Sequence, residues 1–102
     1  MPGFVKMAKL LELPPGSAKE VEYDGRIYAI FNVDGQISAI DGICPHQGGP
    51  LAEGEVTGTI VTCPWHGWQF DVRTGQSTLG FRIRQPVYEV KLEGDDVLVA
   101  VP

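Results

Sequence analysis

Cys44-Pro45-His46, then sixteen residues, then Cys63-Pro64-Trp65-His66: this stretch holds every cysteine and every histidine of the chain. Thiolates and imidazoles are the donors that soft and borderline metals take, and no other part of the sequence offers them. Two tight clusters, each with one sulfur and one nitrogen donor, predict a metal site of two cysteines and two histidines held by two loops.

Outward from that stretch, the 102 residues fit one domain, 1–102, able to bury roughly 60–70% of its unfolded surface. With 43% hydrophobic residues and a mean hydropathy of -0.01, the composition is that of a soluble globular protein. No apolar run approaches the roughly 20 residues of a membrane span, and Met1 to Leu10 is too short and mixed for a signal peptide. The expectation is a cytoplasmic protein without a membrane partner. A Cys44–Cys63 disulfide is the competing reading of the two cysteines, but a reducing compartment disfavours it and it leaves the paired histidines unexplained. The net charge of -5 argues against a nucleic-acid backbone as partner and suits docking to a basic patch on another protein.

On either side of the two loops the chain reads as short strands divided by turn residues, with no internal repeat. Phe4 to Lys9 is the first strand, closed by Leu11 to Gly16, because Pro14-Pro15 cannot continue a sheet ladder. Ala18 to Tyr23, Arg26 to Val33 and Gln36 to Ile40 follow, joined by Asp24-Gly25 and Asp34-Gly35, which predicts an antiparallel meander. In its middle strand Ile27, Ala29 and Phe31 share one face, and Tyr28 and Ile30 the other. Glu55 to Thr62 reads as one strand delivering Cys63, and Trp68 to Val72 as the strand leaving the second loop toward an Arg73-Thr74-Gly75 turn. Pro86 opens a last hairpin that turns at Gly94-Asp95 and ends in the apolar run Val97 to Val101. A single turn within Ala8 to Leu13 is the one helical candidate. The pattern is that of an all-β sandwich or barrel.

The block of about residues 43–85 interrupts this frame and carries the four candidate ligands. Pro45, Gly48, Gly49 and Pro50 in the first loop and Pro64 and Gly67 in the second suit loops whose backbone N–H groups converge on an anionic centre. Structural zinc also takes two cysteines and two histidines, so ligand identity alone leaves two centres open. Zinc fingers commonly group like ligands, whereas each cluster here mixes them. Such mixing lets a two-iron cluster take both cysteines on one iron and both histidines on the other.

Cys44-Pro45-His46 and Cys63-Pro64-Trp65-His66-Gly67, flanked by Gly49-Pro50-Leu51 and Trp68-Gln69-Phe70-Asp71, resemble the Rieske 2Fe-2S signature. The resemblance implies a Rieske fold, an antiparallel β-sandwich or barrel frame with an inserted smaller cluster-binding subdomain. It implies one 2Fe-2S cluster held by Cys44, His46, Cys63 and His66, with the histidines at the surface and the cysteines deeper. Backbone amides near Gln47, Gly49, Trp65 and Gly67 are expected to donate to cluster sulfurs. Neutral imidazoles in place of two thiolates leave the cluster less negative, so an added electron is less opposed than in plant-type ferredoxins.

Departures from the family's branches narrow the expectation. The branch in respiratory and photosynthetic complexes adds two cysteines and a membrane anchor, and this chain has no spare cysteine. Trp68 stands two residues after His66, where that branch places a serine hydroxyl against a cluster sulfur. Fewer donors stabilise the reduced state less, which predicts a potential of about -150 mV. Ring-hydroxylating oxygenase subunits need, besides the cluster, a mononuclear iron on two further histidines and a carboxylate, and both histidines here are already committed. The chain is therefore expected to be no enzyme but a monomeric electron-transfer component without catalytic residues. Its implied partners are a flavoprotein reductase and a terminal oxygenase. The small Rieske-like subunit of NADH-dependent nitrite reductase and a zinc-stabilised interaction module are the alternatives.

Several further residues have two readings each. Trp65 either joins Pro45 and Pro64 in an apolar docking face or packs across its loop. Trp68 and Phe70 alternate as core residues, and Asp71 with Thr74-Gly75 is turn chemistry. Leu79 to Gln85 occupies the place of the family's proline-containing cover over the cluster, but without a proline before Pro86, which predicts a looser cover. Arg82 and Arg84 either steer a partner or mark an exposed strand edge.

Overall fold

The computed structural model describes residues 3–45, 48–65, 67–78, 80 and 83–102. Among them the chain is built almost wholly of antiparallel strands, with two short 3-10 turns at Leu10–Glu12 and Leu51–Glu53. Strand β1 runs Gly3–Lys9, and the turn after it falls inside the segment singled out for one. Strands β2 (Ala18–Tyr23), β3 (Arg26–Val33) and β4 (Gln36–Asp41) form the expected meander. Both of its hairpins turn on two residues with positive φ, Asp24 at 52° with Gly25 at 79°, and Asp34 at 51° with Gly35 at 90°. That pair of angles matches the right-handed twist of the flanking strands, and Asp-Gly adopts it with little strain.

Glu55 to Thr62 differs from the single strand read in the sequence. It is a hairpin, β5 (Glu55–Thr57) and β6 (Ile60–Thr62), reversed at Gly58-Thr59 so that Val56 faces Val61. Gly58 takes a φ of +61° in that reversal. Apolar and β-branched residues continue on both sides of this glycine, so no break in pattern marks the turn. Strand β7 (Gln69–Asp71) completes this sheet.

The last hairpin also differs. Its first arm is two strands, β8 (Val87–Tyr88) on β4 and β9 (Val90–Glu93) on β10 (Asp96–Val101), so the chain changes sheets at Glu89 while the alternation runs on unbroken.

The three sheets have the orders β1-β10-β9, β2-β3-β4-β8 and β5-β6-β7. Strand β3 is buried on both faces, and the two cores divide along it. Ala29 and Phe31 pack with Ile40, Leu51, Val61, Phe70, Val72 and both cysteines. Tyr28 and Ile30 pack with Ala39, Leu13, Met7, Ala8, Val97 and Val99. The meander is thus the middle layer, with the β1-β10-β9 sheet on one face and the cysteine-bearing sheet on the other. A register shift between Lys6 and Ala8 lets the neighbouring Met7 and Ala8 both turn inward, as a bulge does. The expected all-β architecture is the one observed.

Candidate metal centre

Cys44 lies just beyond the end of β4, and Cys63 follows β6 directly. Both are 1% exposed, both are free thiols, and both belong to the core on the loop-bearing face of the meander. The two thiols lie close enough for Cys44 to influence the ionisation of Cys63. Burial pushes the Cys63 thiol up, the Trp65 amide opposes it, and the adjoining Cys44 sulfur adds to it. Two thiolates side by side in a dry pocket are unfavourable unless a cation neutralises them, and a soft metal centre supplies that cation. The two buried sulfurs therefore fit an iron–sulfur cluster. His46 and His66 lie outside the described residues, and among the described residues no three metal-ligating side chains converge.

Each sulfur is set by its backbone. Cys44 donates its N–H to the Gly49 carbonyl at 2.9 Å and accepts from Gly48 N at 2.9 Å, which closes the first loop on itself. Cys63 donates to the Trp68 carbonyl at 2.7 Å, closing the second. The Trp65 amide donates to Cys63 Sγ at 3.4 Å, so one of the four amides singled out in the sequence points at a sulfur. Gln47, another of them, lies outside the described residues. Gly49 serves by lacking a side chain, since a Cβ there would stand 2.7 Å from Cys63 Sγ and 3.0 Å from Trp65 Cγ. Trp65 packs its base against Gly49, as the second of its two readings expects, and half of its surface is exposed. Phe70 is fully buried and Trp68 half-buried beside the same core.

The segment after β7 is tied to both cysteine arms. Asp71 does more than turn the chain: its carboxylate accepts from Arg73 N at 2.9 Å, from the Arg73 guanidinium at 3.0 and 3.2 Å, and from Thr59 Oγ1 at 3.4 Å. The Arg73 guanidinium holds that carboxyl below the usual range. Thr78 Oγ1 donates to Gln69 Oε1 at 3.2 Å, and Gln69 Nε2 donates to Thr62 Oγ1 at 3.1 Å, next to Cys63. Gln76 Nε2 donates to the Gly80 carbonyl at 2.7 Å and to the Ile83 carbonyl at 3.3 Å, which ties these two residues to the end of the turn after β7. Leu79, Phe81 and Arg82 lie outside the described residues. Arg84 Nε donates to the Thr74 carbonyl at 3.1 Å, which ties it into the neighbouring turn.

Sequence reasoning missed Gln85. It is 2% exposed, and its Nε2 donates to the carbonyls of Asp41 at 2.8 Å and Ile43 at 2.6 Å. No local pattern signals such a residue, because its partners lie more than forty positions away.

Among the described residues no helix is long and apolar enough to cross a membrane. The Rieske 2Fe-2S domain profile matches residues 3–99. The biphenyl dioxygenase ferredoxin subunit of Pseudomonas sp. (strain KKS102) is 38% identical, over 94% of this chain and 90% of that protein. The ferredoxin of carbazole 1,9a-dioxygenase from Nocardioides aromaticivorans IC177 superposes with a TM-score of 0.89 at 30% identity, covering 97% of this chain and 98% of the other. A chain in the complex of reduced oxygenase and oxidised ferredoxin in carbazole 1,9a-dioxygenase superposes with a TM-score of 0.88 at 29% identity, covering 95% of this chain and 92% of the other. A putative NADH-dependent nitrite reductase small subunit from Mycobacterium tuberculosis reaches a TM-score of 0.89 at 24% identity, covering 100% and 97%, a likeness of fold alone. The profile match over nearly the whole chain favours an iron–sulfur centre over structural zinc: the chain belongs to the Rieske 2Fe-2S family, and its cofactor is one cluster of that type.

Proposed function

We propose that this chain is the ferredoxin component of a multicomponent oxygenase system, a monomeric electron carrier between a flavoprotein reductase and a terminal oxygenase in the cytoplasm. The observation that carries the proposal is the buried pair Cys44 and Cys63, with the half-exposed Trp65 donating its amide N–H to Cys63 Sγ at 3.4 Å. Similarity to a dioxygenase ferredoxin subunit over almost the full length of both proteins supports it. With two histidines in all, the chain has no ligands left for a separate oxygen-activating iron, so substrate chemistry falls to a partner.

In this reading Cys44 and Cys63 would ligate one iron of the cluster, and His46 and His66 would ligate the other. Residues 43–85 act as a cluster-carrying subdomain within one domain. When bound, the cluster takes up and gives out one electron at a time. The cysteine loops keep water from the sulfurs, and the Trp65 amide steadies negative charge on Cys63. The exposed Pro45, Pro64 and Trp65, each next in sequence to a proposed ligand, offer an apolar contact, and the net charge of -5 favours an acceptor with a basic face.

The test mixes the reduced protein with an oxidised aromatic-ring oxygenase of the biphenyl type in a stopped-flow instrument. The expected result is oxidation of this protein matched by reduction of the oxygenase. Failure to reduce any such oxygenase, together with ready reduction of a sirohaem nitrite reductase, contradicts the proposal.

A further inference from the structure

We propose that Gln85 is a positioning residue for the Cys44 ligand, fixing the peptide planes that lead into that sulfur before and after each electron is transferred. The proposal rests on Cys44 as an iron ligand.

Three consecutive peptide planes separate Asp41 from Cys44, and each is pinned at both ends. In the first, the Asp41 carbonyl accepts from Gln85 Nε2 at 2.8 Å while Gly42 N donates to the Ile27 carbonyl at 2.8 Å. In the second, the Gly42 carbonyl accepts from Leu51 N at 2.9 Å while Ile43 N donates to Asp41 Oδ1 at 3.1 Å. In the third, the Ile43 carbonyl accepts from Gln85 Nε2 at 2.6 Å while Cys44 N donates to the Gly49 carbonyl at 2.9 Å. A peptide plane is rigid, so a bond at each end fixes its tilt, and the last plane sets the direction from which Cys44 projects its sulfur.

One side chain supplies two of these six bonds. Both of its neighbours are carbonyl oxygens, so only the amide nitrogen fits between them, and its two N–H groups match two acceptors. Gln85 is itself anchored, because its N–H donates to the Gly75 carbonyl at 2.7 Å and Asp41 N donates to the adjoining Pro86 carbonyl at 2.9 Å. A Cβ at Gly75 would collide with the Gln85 carbonyl, so the backbones meet there without room for adjustment. The result is a strut from Gln85, held against the turn at Gly75, to the arm that presents Cys44. Outer residues of this kind orient metal ligands, and their loss typically weakens metal binding about 10- to 100-fold.

The test compares Gln85→Met, which keeps the length and removes both donors, with Val97→Ala, a cavity variant in the core on the opposite face of the meander. Each loaded protein is challenged with a ferrous chelator, and its melting temperature and reduced EPR spectrum are recorded. We expect Gln85→Met to release iron about 10- to 100-fold faster than the parent, with broadened EPR lines. Val97→Ala should melt earlier yet release iron at the parental rate with parental line widths. Gln85→Asn keeps the amide but withdraws it by one methylene, and it should also release iron faster than Val97→Ala. If both Gln85 variants match Val97→Ala in iron release and EPR line shape, Gln85 is structural only and the proposal is overturned. Cys44→Ala separates this from the ligand reading: loss of the chromophore upholds the ligand, whereas a retained Rieske spectrum removes both.

Discussion

At Gly49 the backbone passes so close to Cys63 and Trp65 that no side chain fits. A Cβ there would meet Cys63 Sγ at 2.7 Å and the Trp65 side chain at 3.0 and 3.1 Å, and neither is the free end of a flexible chain. We predict that Gly49→Ala costs about 1–3 kcal/mol and displaces the sulfur, so the purified variant carries less iron and sulfide and absorbs less in the visible. On the proposed ligand set, His66→Ala is expected to abolish the Rieske spectrum, because the sequence holds only one other histidine. Trp65→Ala should keep that spectrum and slow acceptor reduction, which stopped-flow traces read directly. The four candidate ligands stand out in the sequence because they exhaust the chain's cysteines and histidines, and of them the structure describes Cys44 and Cys63, together in one buried core. Gln85 and the crowding at Gly49 were not, because both arise from contacts between segments distant in sequence.

Among the elements, turn chemistry was the most legible feature. Asp24-Gly25 and Asp34-Gly35 fixed both hairpins of the meander, and strands β2 and β3 have the bounds read from the sequence. Alternation could not show where β5 ends and β6 begins, because a glycine within an apolar run marks a turn or a bulge equally well. Nor could it show the change of sheets at Glu89, where the two-residue period continues unaltered. The turn after β7 carries a pH dependence of definite sign. Arg73 holds the Asp71 carboxyl below its ordinary value, so its charge stabilises the fold above that value. This contribution is lost as pH falls through the depressed value. Asp71→Asn should therefore unfold more easily than the parent at neutral pH, and the gap in urea midpoints should close as pH drops below about 4. A gap unchanged down to the acid limit would assign the loss to packing.

For the whole molecule, the layered order follows from one strand. Because β3 is apolar on both faces, it must lie inside, and its two faces sort the chain into a scaffold side and a cysteine side. The alternating faces were visible in the sequence, but which sheet covers which face depends on long-range packing that periodicity does not encode. The net charge of -5 belongs to this scale too. Electron transfer to a basic acceptor should slow as salt rises from low to physiological strength, since screening weakens the steering between charged faces. With Trp68 in place of a hydroxyl donor, redox titration should give a midpoint near about -150 mV, and a value well above zero would contradict that account. The most direct test of the centre itself is the Mössbauer spectrum of the oxidised protein. Two doublets of equal area with different isomer shifts are predicted, one for iron bound by Cys44 and Cys63 and one for iron bound by His46 and His66. A single doublet, or protein that holds zinc and no iron, would contradict it.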